Sequence, residues 1–214
     1  MIVCMGLIDS SGFVFDPAGH VQTRHVQTGM IFWMQTWFKN VNFNSDINQA
    51  AEAARKIRLL ALDVDGILTD GRLYYSNKGE ELKAFHVLDG HGIKTLQENR
   101  IEVAIITGRT SNILKQRASE LGVAKIHQGV ADKLSVLNLI MEKHSYSTDE
   151  VAYAGDDLPD LSALQAVGLS FSVPNAHPRI KKVVDIVTNM QGGWGAVREM
   201  SDFILESQGN CKTT

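Results

Sequence analysis

Asp63 and Asp65 stand one residue apart in the stretch LLALDVDGILTDG (residues 59–71), directly after an apolar run and before Gly66. Two like charges held that close cost energy unless a cation or a reacting group uses them. Three further polar groups recur in the same setting. Thr107-Gly108-Arg109 follows the apolar run IEVAII, Lys133 opens an amphipathic stretch, and Gly155-Asp156-Asp157 follows VAYA. Carboxylates hold a divalent cation, while a hydroxyl, an amide and an ammonium hold phosphate oxygens, so this inventory suits phosphoryl chemistry. Each motif alone is weak, because an Asp after a strand is usually a turn former or helix cap. The set gains force only if one architecture brings its members together.

The spacing predicts such an architecture. Strands are expected at 57–62, 101–107, 124–128, 151–155 and 168–173. Helices are expected at 92–100, 110–121, 133–144, 158–167 and 195–207, with another capped by Ser45. Near-continuous apolar strands alternating with amphipathic helices predict an α/β fold, a Rossmann-like parallel sheet with helices on both faces. In such sheets the ligand crevice lies beyond the carboxyl ends of the strands, where every motif above falls. One insertion breaks the alternation: residues 72–87 read as a β-hairpin around Asn77-Lys78-Gly79. Residues 1–44 show no sustained period and are expected to form a weakly patterned N-terminal extension, or to lie upstream of a natural start at Met30 or Met34. Residues 45–214 form the expected domain. Trp33, Trp37 and Phe38 would form an apolar helical stripe, expected as a packing patch and not as a site.

Composition narrows the function classes. Of 214 residues, 44% are hydrophobic and the formal charge is −3, which provides no basic footprint for nucleic acid or an anionic membrane. Cys4 and Cys211 lack metal-type spacing and are expected as free thiols. With no secretory signal pattern and no span of ~20 apolar residues, a cytoplasmic location is expected. His86, His91 and His177 lack paired spacing, and an oxygen-rich cation site does not favour imidazole.

Taken together, DVDGILTDG, TGR, Lys133 and GDDLPD resemble the four motifs of the haloacid dehalogenase superfamily of phosphatases over residues 56–207. The resemblance implies Asp63 as nucleophile and Asp65 as general acid and base. It implies Mg2+ held by Asp63, Asp156 and the Asp65 backbone carbonyl, with Thr107, Gly108 and Lys133 on the phosphoryl oxygens. Asp157 and Asp160 would orient metal-bound waters. Receiver domains use similar groups, but their acceptor Asp lies on a later strand, before the Thr and Lys; here the second acid pair follows Lys133.

Only 44 positions separate Asp63 from Thr107 and 26 separate Thr107 from Lys133, which leaves no room for a cap domain. GEELKAFHVLDGHGI, EVAIITGR and GGWGAVRE further resemble the capless 3-deoxy-D-manno-octulosonate 8-phosphate phosphatase family. That resemblance implies a sugar-phosphate substrate and a homotetramer built through hairpin 72–87, whose Tyr74, Tyr75 and Phe85 would otherwise face water. It also implies substrate contacts from Arg109 and Arg117. Arg117 interrupts the helical stripe of Ile113, Leu114, Ala118 and Leu121 and needs a partner, for which Glu120 is the local alternative. A sister group acting on nine-carbon sialic-type sugar phosphates tends to carry Glu where Arg109 stands. One departure from the family is Trp194 in Gly192-Gly193-Trp194-Gly195, where GGRG is usual.

Overall fold

In the computed structural model, residues 41–210 other than Lys78 and Glu80 are described. The expectations for residues 1–40 and for Cys211 lie outside them. The first described elements are β1 (Asn42–Phe43) and helix α1 (Ile47–Lys56). Asp46 caps α1 in place of the expected Ser45, its side chain accepting the Asn48 N–H at 2.8 Å. The boundary expected between residues 44 and 45 is also corrected. Asn42 and Phe43 already belong to the main sheet, where they pair with Val187 and Ile186.

The chain continues through β2 (Leu59–Leu62), β3 (Tyr74–Tyr75), β4 (Glu81–Leu82), α2 (Val87–Glu98), β5 (Glu102–Ile106), α3 (Asn112–Leu121) and β6 (Lys125–His127). Then follow α4 (Lys133–His144), β7 (Val151–Ala154), a 3-10 turn over Leu158–Asp160, α5 (Leu161–Leu164), β8 (Leu169–Ser172), α6 (Pro178–Lys181), β9 (Ile186–Val187) and α7 (Ala196–Ser207). The sheet order is β1-β9-β8-β7-β2-β5-β6, with every pairing parallel except β1 to β9.

Leu59 to Leu62 are wholly buried because β2 is central and covered on both faces. Leu59 and Ala61 share one core with Leu137, Ile140 and Met141 of α4 and Ala163 and Leu164 of α5. The other side carries Phe171, whose ring meets Phe203 of α7 edge-on at 6.3 Å. Burying a Leu or Ile contributes roughly 1.5–3 kcal/mol against the entropy of ordering it. Gly122, in the left-handed conformation (φ +72°), ends α3 as expected.

Helix α2 starts five residues earlier than expected. His86 caps it, with Nδ1 accepting the Leu88 N–H at 3.3 Å, and Gly90 and Gly92 had disguised the helical register. Correspondingly, among the described residues the hairpin expected over 72–87 is paired only at Tyr74 with Leu82 and Tyr75 with Glu81. Phe85 turns inward and lies under the Arg117 guanidinium at 5.9 Å. Tyr74, Tyr75 and Leu82 remain exposed.

Candidate active site

Strand β2 lies between β5 and β7: the chain runs from β2 out through β5 to β6 on one side, then crosses to β7 on the other. Asp63 stands at this switch point, the expected place for a ligand crevice, and its N–H donates to the Ala154 carbonyl at 3.0 Å. Thr107 follows β5 and is buried; its hydroxyl accepts the Arg109 N–H at 3.3 Å. Lys133 opens α4 behind the cap Asp132. Asp156 follows β7, and the backbone passes so close that a Cβ on Gly66 (φ +101°) would fall 2.1 Å from Asp156 Oδ2.

These segments build one charged cluster. The Lys133 ammonium lies 2.9 Å from Asp63 Oδ1 and 2.6 Å from Asp160 Oδ1. Asp160 is 1% exposed and fully engaged. Its Oδ1 also accepts the Tyr153 hydroxyl at 2.8 Å, and its Oδ2 accepts the Asp156 and Asp157 N–H groups at 3.3 Å each. Asp160 therefore organises Lys133 and the 156–157 backbone.

Asp63, Asp156 and Asp160 can each turn one oxygen to within 4.8 Å of the others. Three carboxylates facing one ammonium leave two buried negative charges without compensation. Burial, and then the Asp160 charge, push Asp63 up to about 6; burial, and then Asp63 and Asp160, push Asp156 up to about 7. Burial acts to lower the Lys133 pKa, but the two facing carboxylates overcome it and hold the ammonium charged. A divalent cation fits this imbalance, and an all-oxygen donor set suits a hard ion. With Asp160 already saturated, Asp63 and Asp156 have oxygens to offer.

Asp65 points to a second set of partners. Its Oδ1 accepts from the Lys83 ammonium at 2.5 Å, and its Oδ2 lies 3.6 Å from Arg109 Nε. Arg109 also donates to the Tyr75 hydroxyl at 2.8 Å. In the sequence nothing singles out Lys83, and Tyr75 reads only as an assembly residue, since neither sits at a strand end of the main sheet. Tyr153 was missed because its strand position reads as core. Arg117 contacts Glu120 at 3.4 Å and Phe85, the local alternative, and its buried Nε has no hydrogen-bond partner. Among the described residues, its ion-pair and ring partners include none of the strand-end carboxylates.

Comparison with known proteins decides the family. A model of haloacid dehalogenase-like hydrolases matches residues 111–199. The chain is 48% identical over 156 residues to 3-deoxy-D-manno-octulosonate 8-phosphate phosphatase of Salmonella typhi, covering 73% of this chain and 83% of the relative. The crystal structure of the same phosphatase from Yersinia pestis is 45% identical, with a TM-score of 0.75 over 76% of this chain and 88% of that one. The Moraxella catarrhalis phosphatase, solved in complex with a magnesium ion, a phosphate ion and a KDO molecule, is 45% identical, with a TM-score of 0.76 over 77% and 95%. The chain belongs to the 3-deoxy-D-manno-octulosonate 8-phosphate phosphatase family of haloacid dehalogenase-like hydrolases.

In this 3-deoxy-D-manno-octulosonate 8-phosphate phosphatase family member, no cap domain separates the motifs among the described residues. The described residues between Asp63 and Thr107 form the short hairpin and α2, and those between Thr107 and Lys133 form α3 and β6. His86 and His177 serve as helix caps, Nδ1 of His177 accepting the Arg179 N–H at 3.2 Å. At Gly192 a Cβ would fall 1.7 Å from the Gly66 carbonyl oxygen, and Gly193 N–H donates to Ile67 O at 3.0 Å. The GGWG loop is thus seated on the segment that follows Asp65, with Trp194 exposed.

Proposed function

We propose that this chain hydrolyses 3-deoxy-D-manno-octulosonate 8-phosphate to the free sugar acid and inorganic phosphate, in lipopolysaccharide synthesis. The observation that carries the reading is the Asp63–Lys133–Asp156 cluster, set in a fold shared with a relative that holds magnesium, phosphate and the sugar acid.

In this reading Asp63 attacks phosphorus and becomes an aspartyl phosphate, while Asp65 gives its proton to the departing 8-oxygen of the sugar. Asp65 then takes a proton from the attacking water, and phosphate leaves with Asp63 restored. Lys133, held in place by Asp160, neutralises charge on the phosphoryl oxygens together with the Thr107 hydroxyl and the Gly108 amide. Mg2+ would be held by Asp63, Asp156 and the Asp65 carbonyl, and supplies further neutralisation of the transferring group. Arg109, beside Asp65, is assigned to the anionic sugar, with Arg117 as a second candidate for its carboxylate.

Two further assignments belong to this reading. A homotetramer through the hairpin is supported by the exposed Tyr74, Tyr75, Leu82 and Val87, a cluster that a lone two-stranded ribbon cannot bury. No helix of the described residues is long and apolar enough to cross a membrane, and the cytoplasm is the proposed compartment.

The test is phosphate release from a panel of sugar phosphates, with Mg2+ and with a chelator. The eight-carbon acid phosphate should be the best substrate, and both chelation and Asp63→Asn should abolish turnover. Preference for a nine-carbon sialic-type phosphate would move the chain to the sister activity. Full turnover by Asp63→Asn would end the aspartyl-phosphate mechanism.

A further inference from the structure

Lys83 has no place in the four phosphatase motifs, yet it is among the most thoroughly buried cations of the protein. Its side chain is 2% exposed and its ammonium lies 2.5 Å from Asp65 Oδ1. A buried ammonium is costly without a partner, and the partner it has is the carboxylate assigned above to proton transfer. The two oxygens of Asp65 are held unequally: Oδ1 is engaged by Lys83, while Oδ2 is 3.6 Å from Arg109 Nε, outside hydrogen-bond range.

We infer that Lys83 is a positioning residue for the general acid and base: it pins Oδ1 of Asp65 so that Oδ2 is the oxygen that gives and takes the proton. The inference rests on the phosphatase reading. A free carboxylate rotates about its side-chain torsions and presents either oxygen. A short charge-assisted bond to one oxygen fixes the plane of the group and the direction of the other's lone pairs. Lys83 comes from the segment linking β4 to α2, just past the paired hairpin residues, while Asp65 comes from the end of β2. The contact therefore also ties the hairpin segment to the proton-transfer group within a single chain. The Arg109 guanidinium, donating to the Tyr75 hydroxyl, ties the hairpin to the loop after β5 as well.

The chemistry supplies a selective test. An alkyl phosphate expels a poor leaving group and needs its oxygen protonated, whereas an aryl phosphate such as p-nitrophenyl phosphate expels a stable phenolate and does not. The kcat/KM of each ester reports steps up to formation of the aspartyl phosphate. In Lys83→Gln the kcat/KM for the sugar phosphate should fall about 10- to 100-fold, part of the effect of a general acid, while that for the aryl ester changes less than threefold. The later water attack also uses Asp65, so kcat for the aryl ester should fall and a burst of phenolate should appear as the aspartyl phosphate accumulates. Equal losses with the two esters, or no loss, in a protein that melts like the wild type would overturn the inference.

A double variant guards against a single variant that does not fold. Asp65→Asn with Lys83→Gln carries neither charge, so it buries no unpaired ion. Because Lys83 acts through Asp65, the double variant should match Asp65→Asn alone within about twofold in kcat/KM for the sugar phosphate. A further tenfold loss would show that Lys83 acts independently of Asp65. A wild-type protein inactive on every ester would instead remove the phosphatase reading itself.

Discussion

Tyr153 donates its hydroxyl to Asp160 Oδ1 at 2.8 Å, joining two side chains that are almost wholly excluded from water. The same oxygen receives the Lys133 ammonium, so the tyrosine helps fix the cation that faces Asp63. Tyr153→Phe removes one of the two donors without exposing the carboxylate. It should cost about 1–2 kcal/mol in denaturant unfolding and lower kcat several-fold, with little change in KM. Unchanged stability and kcat would show that Lys133 and the Asp156 and Asp157 N–H groups suffice to hold Asp160.

Without a cation, Asp63 and Asp156 are pushed up to about 6 and about 7, above the value near 3.9 of an unfolded chain. The folded metal-free protein then binds more protons than the unfolded one between about pH 4 and 7. Their contribution to stability is full below the unfolded value and is lost as pH rises through the folded ones. In chelator, the melting temperature of wild type relative to Asp156→Asn should therefore fall from pH 5 to pH 8, and Mg2+ should cancel the fall. A difference that rises with pH in chelator would contradict the uncompensated charge.

At Gly192 the obstacle is backbone, which cannot turn aside as a side chain could. Gly192→Ala should cost at least about 1–3 kcal/mol and lower kcat/KM, because it displaces the segment that follows Asp65. Trp194→Ala, at an exposed position in the same loop, should stay within about 0.5 kcal/mol of wild type. Chemical denaturation of the two variants separates the outcomes.

The hairpin assignment predicts that Tyr74→Ser with Leu82→Ser, a directly opposed pair, lowers the molar mass in light scattering and raises KM for the sugar phosphate. Phe85 is a less direct probe, since it is half-buried and lies against the Arg117 guanidinium of the same subunit. A double variant that keeps its full mass removes the hairpin from the assembly.

Deletion of residues 1–40 should leave turnover and melting temperature close to those of the full chain. Deletion of residues 1–45 removes β1 and the Phe43 ring, which lies 5.7 Å from that of Phe203, and should cost about 1–3 kcal/mol. Equal behaviour of the two truncations would deny β1 a part in stability.

What the sequence displayed, and what it hid, follow from the range of the interactions concerned. The apolar runs around Leu59–Leu62, Glu102–Ile106 and Val151–Ala154 announce central strands, and their polar successors Asp63, Thr107 and Asp156 must then share one edge. Strands Asn42–Phe43 and Ile186–Val187 have two residues each, too few to show a period. Lys83 looks like any charged residue in a polar hairpin, and only the way that segment folds back over Asp65 makes it a buried partner. Asp160 reads as a first-turn acid, and nothing local foretells that Lys133, from 27 residues earlier, will reach it.

Among the described residues, the main sheet ends at one side on the two residues of β1, tied down where the Asn44 amide donates to the Lys181 and Val184 carbonyls at 2.7 Å each. At the other it ends on the three residues of β6, where Lys125 is paired with Glu102. Rims this short, and on one side charged, offer no template on which a strand from another molecule could zip up. Growth into backbone-bonded polymers is thereby disfavoured even in concentrated solution. In the proposed assembly, copies of the chain would meet through the side chains of the hairpin and not by strand pairing at these rims.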